Sequence, residues 1–305
     1  MVEESSLKAE IKEIEDFIKN NENNPIDDIN RILEILTNYK NDSMSINKSN
    51  PYYGVIKEMI LLEPKKKYQV LFNVFNNLII NKELPILITD NLIELIARQI
   101  DIISNAKSIN LLLTNNNAKL LGQIYYNTNI DHIDIYSEEI KYKNIFKKLY
   151  NIGEINNVEF IEKNIINTKQ QRKYDLILSP VLFKSKKVNF NNEKVDIKEA
   201  VIEEILNRLK NDGYLFSIVK DGILNNKQFE GLREKLLDKF DLLSIIEFPK
   251  TISYENRAVN TSLLIIRNNE EQNEKVFLAL LEKDSKEETN NLIEKFNSYY
   301  CGVVK

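Results

Sequence analysis

The chain has 305 residues, 43% of them hydrophobic and 29% charged, enough for one large α/β domain plus a smaller appendage. Its formal net charge of −4 argues against a strongly basic nucleic-acid binder and leaves local patches as the electrostatic route to phosphates. A single cysteine, Cys301, excludes an internal disulfide framework, and a single histidine, His132, excludes a His-rich metal site, so no metal is expected.

The N-terminal stretch MVEESSLKAEIKEIEDFIKN is acidic and amphipathic, unlike the basic-then-apolar pattern of a signal peptide. No apolar run approaches the roughly 18 residues needed to span a bilayer. The longest candidate, Leu92 to Ile103, is interrupted by Glu94, Arg98 and Asp101. A cytoplasmic protein with no membrane partner is expected. Ile11, Ile14, Phe17 and Ile18 form one apolar stripe at helical spacing, and Ile29, Ile32, Leu33 and Leu36 form a second. Asn41 to Pro51 is a polar break, and Tyr68 to Ile80 is a further helical stretch behind Lys65-Lys66-Lys67.

From about residue 86 short apolar runs alternate with helical segments, which predicts a helical region over 1–85 and an α/β domain over 86–305. Thr89-Asp90-Asn91 reads as a helix start before Leu92, Ile93, Ile96, Ile100 and Ile103. Ile109 to Leu113 is a strand, Lys119 to Tyr126 a helix, Ile133 to Tyr136 a strand and Glu138 to Tyr150 a helix. Val158 to Ile161 and Tyr174 to Leu178 are two more strands. Ile197, Val201, Ile205 and Leu209 line one face of a helix whose stop is Asn211-Asp212-Gly213, with Gly213 as a left-handed C-cap. Strand Tyr214 to Val219, helix Phe229 to Phe240 and strand Leu242 to Phe248 follow. The last two strands, Thr261 to Arg267 and Lys275 to Leu281, are joined by a polar link too short for a crossover helix, which predicts an antiparallel hairpin. The whole reads as a doubly wound, Rossmann-like, mostly parallel sheet behind an N-terminal helical region.

Five short pieces carry a resemblance. Leu209-Lys210-Asn211-Asp212-Gly213, Asp221-Gly222-Ile223-Leu224, Leu232-Arg233-Glu234, Ile245-Ile246-Glu247-Phe248-Pro249 and Thr261-Ser262-Leu263-Leu264 occur in register over about seventy residues. This block resembles the second half of the N6-adenine DNA methyltransferase domain found in type I modification subunits. Ile88 to Leu95 resembles, more faintly, the helix start that contacts the methyl donor in that family, with Thr89 kept. The arrangement is also similar to the adenine-methylase-like proteins encoded near competence genes. The resemblance implies a class I methyltransferase fold, S-adenosylmethionine as cofactor, DNA as substrate, and a separate specificity subunit as partner, since no target-recognition segment is legible after the last strands.

The chemistry that the resemblance implies is thinned out. The donor loop after the first strand needs glycines for close backbone approach and an acidic anchor. Here Leu112 stands at the acidic position, and Asn116 and Ala118 stand at the two glycines. No glycine at all occurs between Gly54 and Gly122. The ribose-binding acid at the end of the second strand falls on Tyr136, with Asp134 two residues earlier on the same face. The adenine-contacting acid falls on Asn164. The family's Asn/Asp-Pro-Pro-aromatic motif, which holds the flipped base, reads Ser179-Pro180-Val181-Leu182-Phe183. Ser179 is too short for the amide's task, Pro180 is retained, and Phe183 is one position late for stacking. Lysines 184, 186 and 187, the other lysine runs, His132 and Cys301 read as surface or packing residues, and Asp221-Gly222 as a turn. The resulting expectation is a pseudo-methyltransferase working by binding, with weak or lost S-adenosylmethionine affinity. The alternatives are a divergent active enzyme using Asp134, Asn164 and Ser179, and a protein-interaction module without nucleic-acid contact.

Overall fold

The computed structural model describes residues 2–42, 47–80, 88–104, 107–114, 117–137, 142–167, 172–179, 186–250, 253–254, 257–258, 260–269, 273 and 275–303. These fall into two compact units, residues 1–84 with 141–156, and residues 85–140 with 157–305. No helix among the described residues is long and apolar enough to cross a membrane.

The first unit contains α1 (Val2–Asn20), α2 (Pro25–Asp42), α3 (Tyr53–Leu61) and α4 (Pro64–Phe75), which runs on into a π turn (Asn76–Ile80). Ile14 and Ile18 of the first stripe and all four residues of the second are buried. Pro64 opens α4 at the position where a missing N–H costs nothing, so the three lysines behind it form the first turn rather than a linker. Asp28 is fully buried and accepts hydrogen bonds from Asn21, Asn23 and the Tyr52 hydroxyl. The helix Lys143–Ile152 belongs to this unit: its Phe146 lies edge-on to Phe75, and its Tyr150 stacks on Tyr68. The sequence reading had placed that segment with the α/β domain.

The second unit is built on an eight-stranded sheet. In chain order its elements are α5 (Asp90–Ser104), β1 (Ile109–Leu113), α6 (Ala118–Tyr125), β2 (Ile130–Ser137), β3 (Val158–Glu162) and β4 (Tyr174–Ser179), with the first unit's helix, α7 (Lys143–Ile152), falling between β2 and β3 in the chain. A small hairpin, β5 (Lys187–Phe190) with β6 (Glu193–Asp196), precedes α8 (Ile197–Leu206) and β7 (Leu209–Lys220). There follow α9 (Gly222–Asn225), α10 (Glu230–Lys239), β8 (Asp241–Glu247), the two-residue strands β9 (Ser253–Tyr254) and β10 (Arg257–Ala258), β11 (Thr261–Arg267), β12 (Phe277–Leu280) and α11 (Lys286–Val303). The strand order is β12-β8-β11-β7-β4-β1-β2-β3, parallel except where β11 runs antiparallel to β7 and β8. The expected Rossmann-like, mostly parallel sheet is the observed one.

Burial follows position in the sheet. The inner strand β11 is buried over six consecutive residues, whereas the edge strands β3 and β12 have no fully buried residue. One face of the sheet packs Leu112, Tyr136, Ile177 and Leu215 against Val201 and Ile205 of α8 and Leu232 of α10. On the other face Ile96 of α5 and Leu120 of α6 meet Leu113, Leu178 and Phe216.

Two expectations are corrected. β11 and β12 run in opposite directions but do not form a hairpin: β8 lies between them, antiparallel to β11 and parallel to β12. The link between Arg267 and Phe277 is ample to step over one strand, since next-but-one strands lie roughly 10 Å apart. The helix before β7 ends at Leu206, because the Arg208 carbonyl already accepts the Tyr174 N–H and so begins the pairing with β4. Gly213 is therefore not a C-cap. The left-handed residue is Asp212, at φ 61, inside an excursion of β7 in which Tyr174 pairs Leu209 and Leu176 already pairs Tyr214. Gly213 is needed for a different reason. A Cβ there would lie 2.9 Å from the carbonyl oxygens of Lys210 and Tyr174.

This predicts an order of substitutions that a left-handed Gly213 would reverse. Gly213→Ala lowers stability by about 1–3 kcal/mol through steric overlap with backbone. Asp212→Gly stays within about 1 kcal/mol, because it trades an exposed ion pair with Arg267 for relief of the left-handed side chain. Urea denaturation midpoints of the two variants check the order.

Candidate functional site

In the sheet order the chain steps from β1 to β2 and β3 on one side, and from β4 to β7 on the other. Connections therefore leave the carboxyl ends of β1 and β4 in opposite directions, and the crevice between them is where this architecture offers a ligand site. Thr114 follows β1 and donates its backbone N–H to the Leu178 carbonyl. Its hydroxyl lies 3.0 Å from the hydroxyl of Ser179, the last residue of β4. Asn117 caps α6 by accepting the Leu120 N–H, and Thr89 caps α5 through the Leu92 and Ile93 N–H groups. Two helix N-termini thus open near the crevice, and Lys119 of one pairs with Asp90 of the other. Beneath them Ile88, Leu113, Asn117, Ser179 and Phe216 line a cavity of about 20 Å³, room for about one water.

The sequence-derived site residues separate into three groups. Ser179 and Thr89 stand at this crevice, Ser179 only 5% exposed and joined to Thr114, Thr89 as a helix cap beside cavity-lining Ile88. Leu112 and Tyr136 do not face it, since both lie in the apolar cluster under α8. The guanidinium of Arg208 sits 5.2 Å over the Tyr136 ring, and burial raises the phenol's pKa. Asn164 turns its Oδ1 back to the Ile166 N–H, which caps the short helical turn after β3. Asn116, Pro180 and Phe183 lie outside the described residues.

Asp134 is a special case. It is fully buried on β2, yet it is not bare: the Tyr174 hydroxyl donates to it at 2.6 Å and Arg172 at 2.8 Å, with His132 Nε2 2.8 Å away. A buried carboxylate survives only with such compensation. The tie has consequences on both sides. Hydrogen bonding to Asp134 raises the pKa of Arg172, and burial together with Asp134 pushes the Tyr174 phenol up. His132, Asp134 and Glu159 place their polar atoms within 4.8 Å of one another, a grouping able to hold a metal. The Arg172 guanidinium already lies among them, 2.8 Å from Asp134 and 3.6 Å from Glu159, and supplies the compensating charge.

Sequence reasoning missed this network and Thr114. Thr114 had a signal, a hydroxyl immediately after the first strand. The network had none, because Arg172 and Tyr174 reach Asp134 across a sheet whose strand order the sequence does not print. Among the described residues the carboxyl ends of β1, β2 and β4 present hydroxyls and an amide but no carboxylate.

Tyr174→Phe is expected to lower stability by about 1–3 kcal/mol by removing one donor from a buried acid. Asp134→Ala strands Arg172 and Tyr174 together and costs more, about 3–5 kcal/mol. Both effects appear in thermal or urea denaturation. A ribose-binding Asp134 would instead show its main effect on donor affinity with stability unchanged.

Comparison with known proteins agrees with this fold. The model of the N-6 DNA methylase family matches residues 105–298. Among solved structures the chain resembles a Listeria monocytogenes protein assigned to the class I S-adenosylmethionine-dependent methyltransferases, at 13% identity and TM-score 0.71, over 97% of this chain and 98% of that one. It also resembles a type I restriction-modification methyltransferase subunit from Streptococcus thermophilus, at 13% identity and TM-score 0.64, over 82% of this chain and 62% of that one. A modification subunit assigned to a type I restriction enzyme of Vibrio vulnificus matches at 9% identity and TM-score 0.56, over 84% and 60% of the two chains. At such identities the structures speak for the fold alone. No curated protein matches the sequence. With the family model spanning most of the chain and the sheet running in the order described, the protein belongs to the N-6 DNA methylase family.

Proposed function

We propose that this chain is a pseudo-methyltransferase, a member of the N-6 DNA methylase family that acts by binding DNA or a partner subunit rather than by transferring methyl groups. The observation that carries the reading is at the end of β4. The residue in place of the family's base-holding amide is Ser179, nearly buried, with its short hydroxyl tied to Thr114. It lacks the paired donor and acceptor of an amide, and its reach ends at its neighbour. Leu112 and Tyr136 support the same reading, because side chains packed in the core offer nothing to a ribose or an ammonium group. S-adenosylmethionine, where bound, supplies an electrophilic methyl group. This chain's described contribution at that place is the hydroxyls of Thr114 and Ser179 and the capped N-termini at Thr89 and Asn117.

One observation favours a second reading, a divergent active adenine-N6 methyltransferase. Thr89 and Asn117 still cap two helix N-termini beside the crevice, an arrangement that keeps a favourable place for the carboxylate of a donor.

Calorimetric titration with S-adenosylmethionine, paired with transfer of labelled methyl groups to adenine-containing duplexes, separates the two. The expected result is a dissociation constant weaker than about 100 μM and no incorporation. Micromolar affinity together with labelled methyl groups incorporated into adenine would overturn the first reading and establish the second. Partner binding through DNA is checked by retention of the chain on duplex DNA, which must fall steeply as salt rises.

A further inference from the structure

At the opposite end of the sheet from the crevice, the second unit holds a cavity of about 440 Å³. That volume is within the range of small-ligand sites. The cavity opens where β7 makes its excursion beside the amino ends of β1 and β4, and residues Asn211 and Asp212 of the excursion form part of its wall. Its floor is apolar, from Ile100, Ile103 and Ile109. Two aromatic rings stand at one side, Tyr214 and Tyr300, with their hydroxyls 3.0 Å apart.

The charges are arranged unevenly. Asp175 takes three hydrogen bonds on Oδ2, from the Asn110 N–H and side-chain amide and from Lys210, and none on Oδ1 among the described residues. Asp212 is paired with Arg267 at 2.8 Å. The Arg267 guanidinium lies 5.9 Å over the Tyr214 ring, and its Nε–H is buried with no acceptor. The wall itself holds two cations, Lys107 and Arg267, and two acids, Asp175 and Asp212. Lys210 from outside the wall pairs with Asp175, and Arg267 pairs with Asp212, which leaves Lys107 as the wall's cation with no ion pair among the described residues.

We propose that this cavity is a second ligand site, for an adenine nucleotide carrying a terminal phosphate. The base lies on the isoleucine floor beside the two tyrosines, its exocyclic amino group donates to the open Oδ1 of Asp175, and the phosphate is held by Lys107 and Arg267. Each element of the ligand answers an unmet group of the wall: a planar apolar face, a donor and an anion. The source is either a free nucleotide or the 5′-phosphorylated end of a single strand.

The test is methyl NMR of the full chain with labelled isoleucine, titrated with AMP to about 5 mM. AMP is expected to shift Ile100, Ile103 and Ile109 and to leave Ile88 and Ile96, which line the crevice at the other end, in place. Lys107→Glu and Arg267→Gln are each expected to weaken binding roughly tenfold, as is the removal of the phosphate in adenosine. Lys107 is exposed, so its variant keeps the fold even if the Arg267 variant does not. A 5′-phosphorylated oligoadenylate that shifts the same methyls at lower concentration identifies a strand end, and a response to AMP alone identifies the free nucleotide. No shift at the highest concentration, shifts confined to Ile88 and Ile96, or full affinity in Lys107→Glu and Arg267→Gln would each overturn the proposal.

Discussion

A strand covered on both faces has no wet side on which to place a polar group, and the middle of this sheet lives under that constraint. β1 has Leu111, Leu112 and Leu113 all buried, and β11 has six buried residues in succession. Any carboxylate admitted there must bring its own compensation. Asp134 does so, through Tyr174, Arg172 and the neighbouring His132, and thereby ties β2 to the start of β4 across β1. Leu112 lies level with Asp134 on the adjoining strand, so one acid and one leucine divide a layer in which two uncompensated acids would not be tolerated.

The same constraint sends polar chemistry to the two ends of the sheet. At the carboxyl end the hydroxyls of Thr114 and Ser179 meet between two capped helix starts. At the amino end β7 departs from β4 for several residues, at the cost of one left-handed aspartate, and needs a glycine where two carbonyls close in. That departure places Asn211 and Asp212 in the wall of the cavity at this end. Backbone irregularity and unmet polar groups coincide there, a pairing common at sites with a task.

Legibility in the sequence tracked how local the deciding force was. Ile109–Leu113 and Thr261–Arg267 are strands with the same limits in both readings, because runs of buried aliphatics admit little else. Helix 286–303 and the hairpin at 187–196 went unread: their patterns are polar and weakly periodic, and their partners are distant in the chain. The supposed C-terminal hairpin failed for the same reason, since short links suggest neighbours, and only the sheet shows β8 inserted between the two strands. Of the residues chosen by motif position, Ser179 and Thr89 lie at the crevice, whereas Leu112 and Tyr136 lie in the core.

By itself, then, the sequence determined the family, the alternation of strands and helices, and the absence of any glycine between Gly54 and Gly122, all properties of residue type and spacing along the chain. Only the tertiary structure decided which face each side chain occupies and who meets whom: that Asp134 is bound to Arg172 and Tyr174, that helix 143–152 joins the N-terminal unit, and that Gly213 serves close approach rather than a cap. The reason is physical. Period and propensity act over a few neighbouring residues, while compensation of a buried charge and exclusion of a Cβ depend on atoms brought together from strands far apart in sequence.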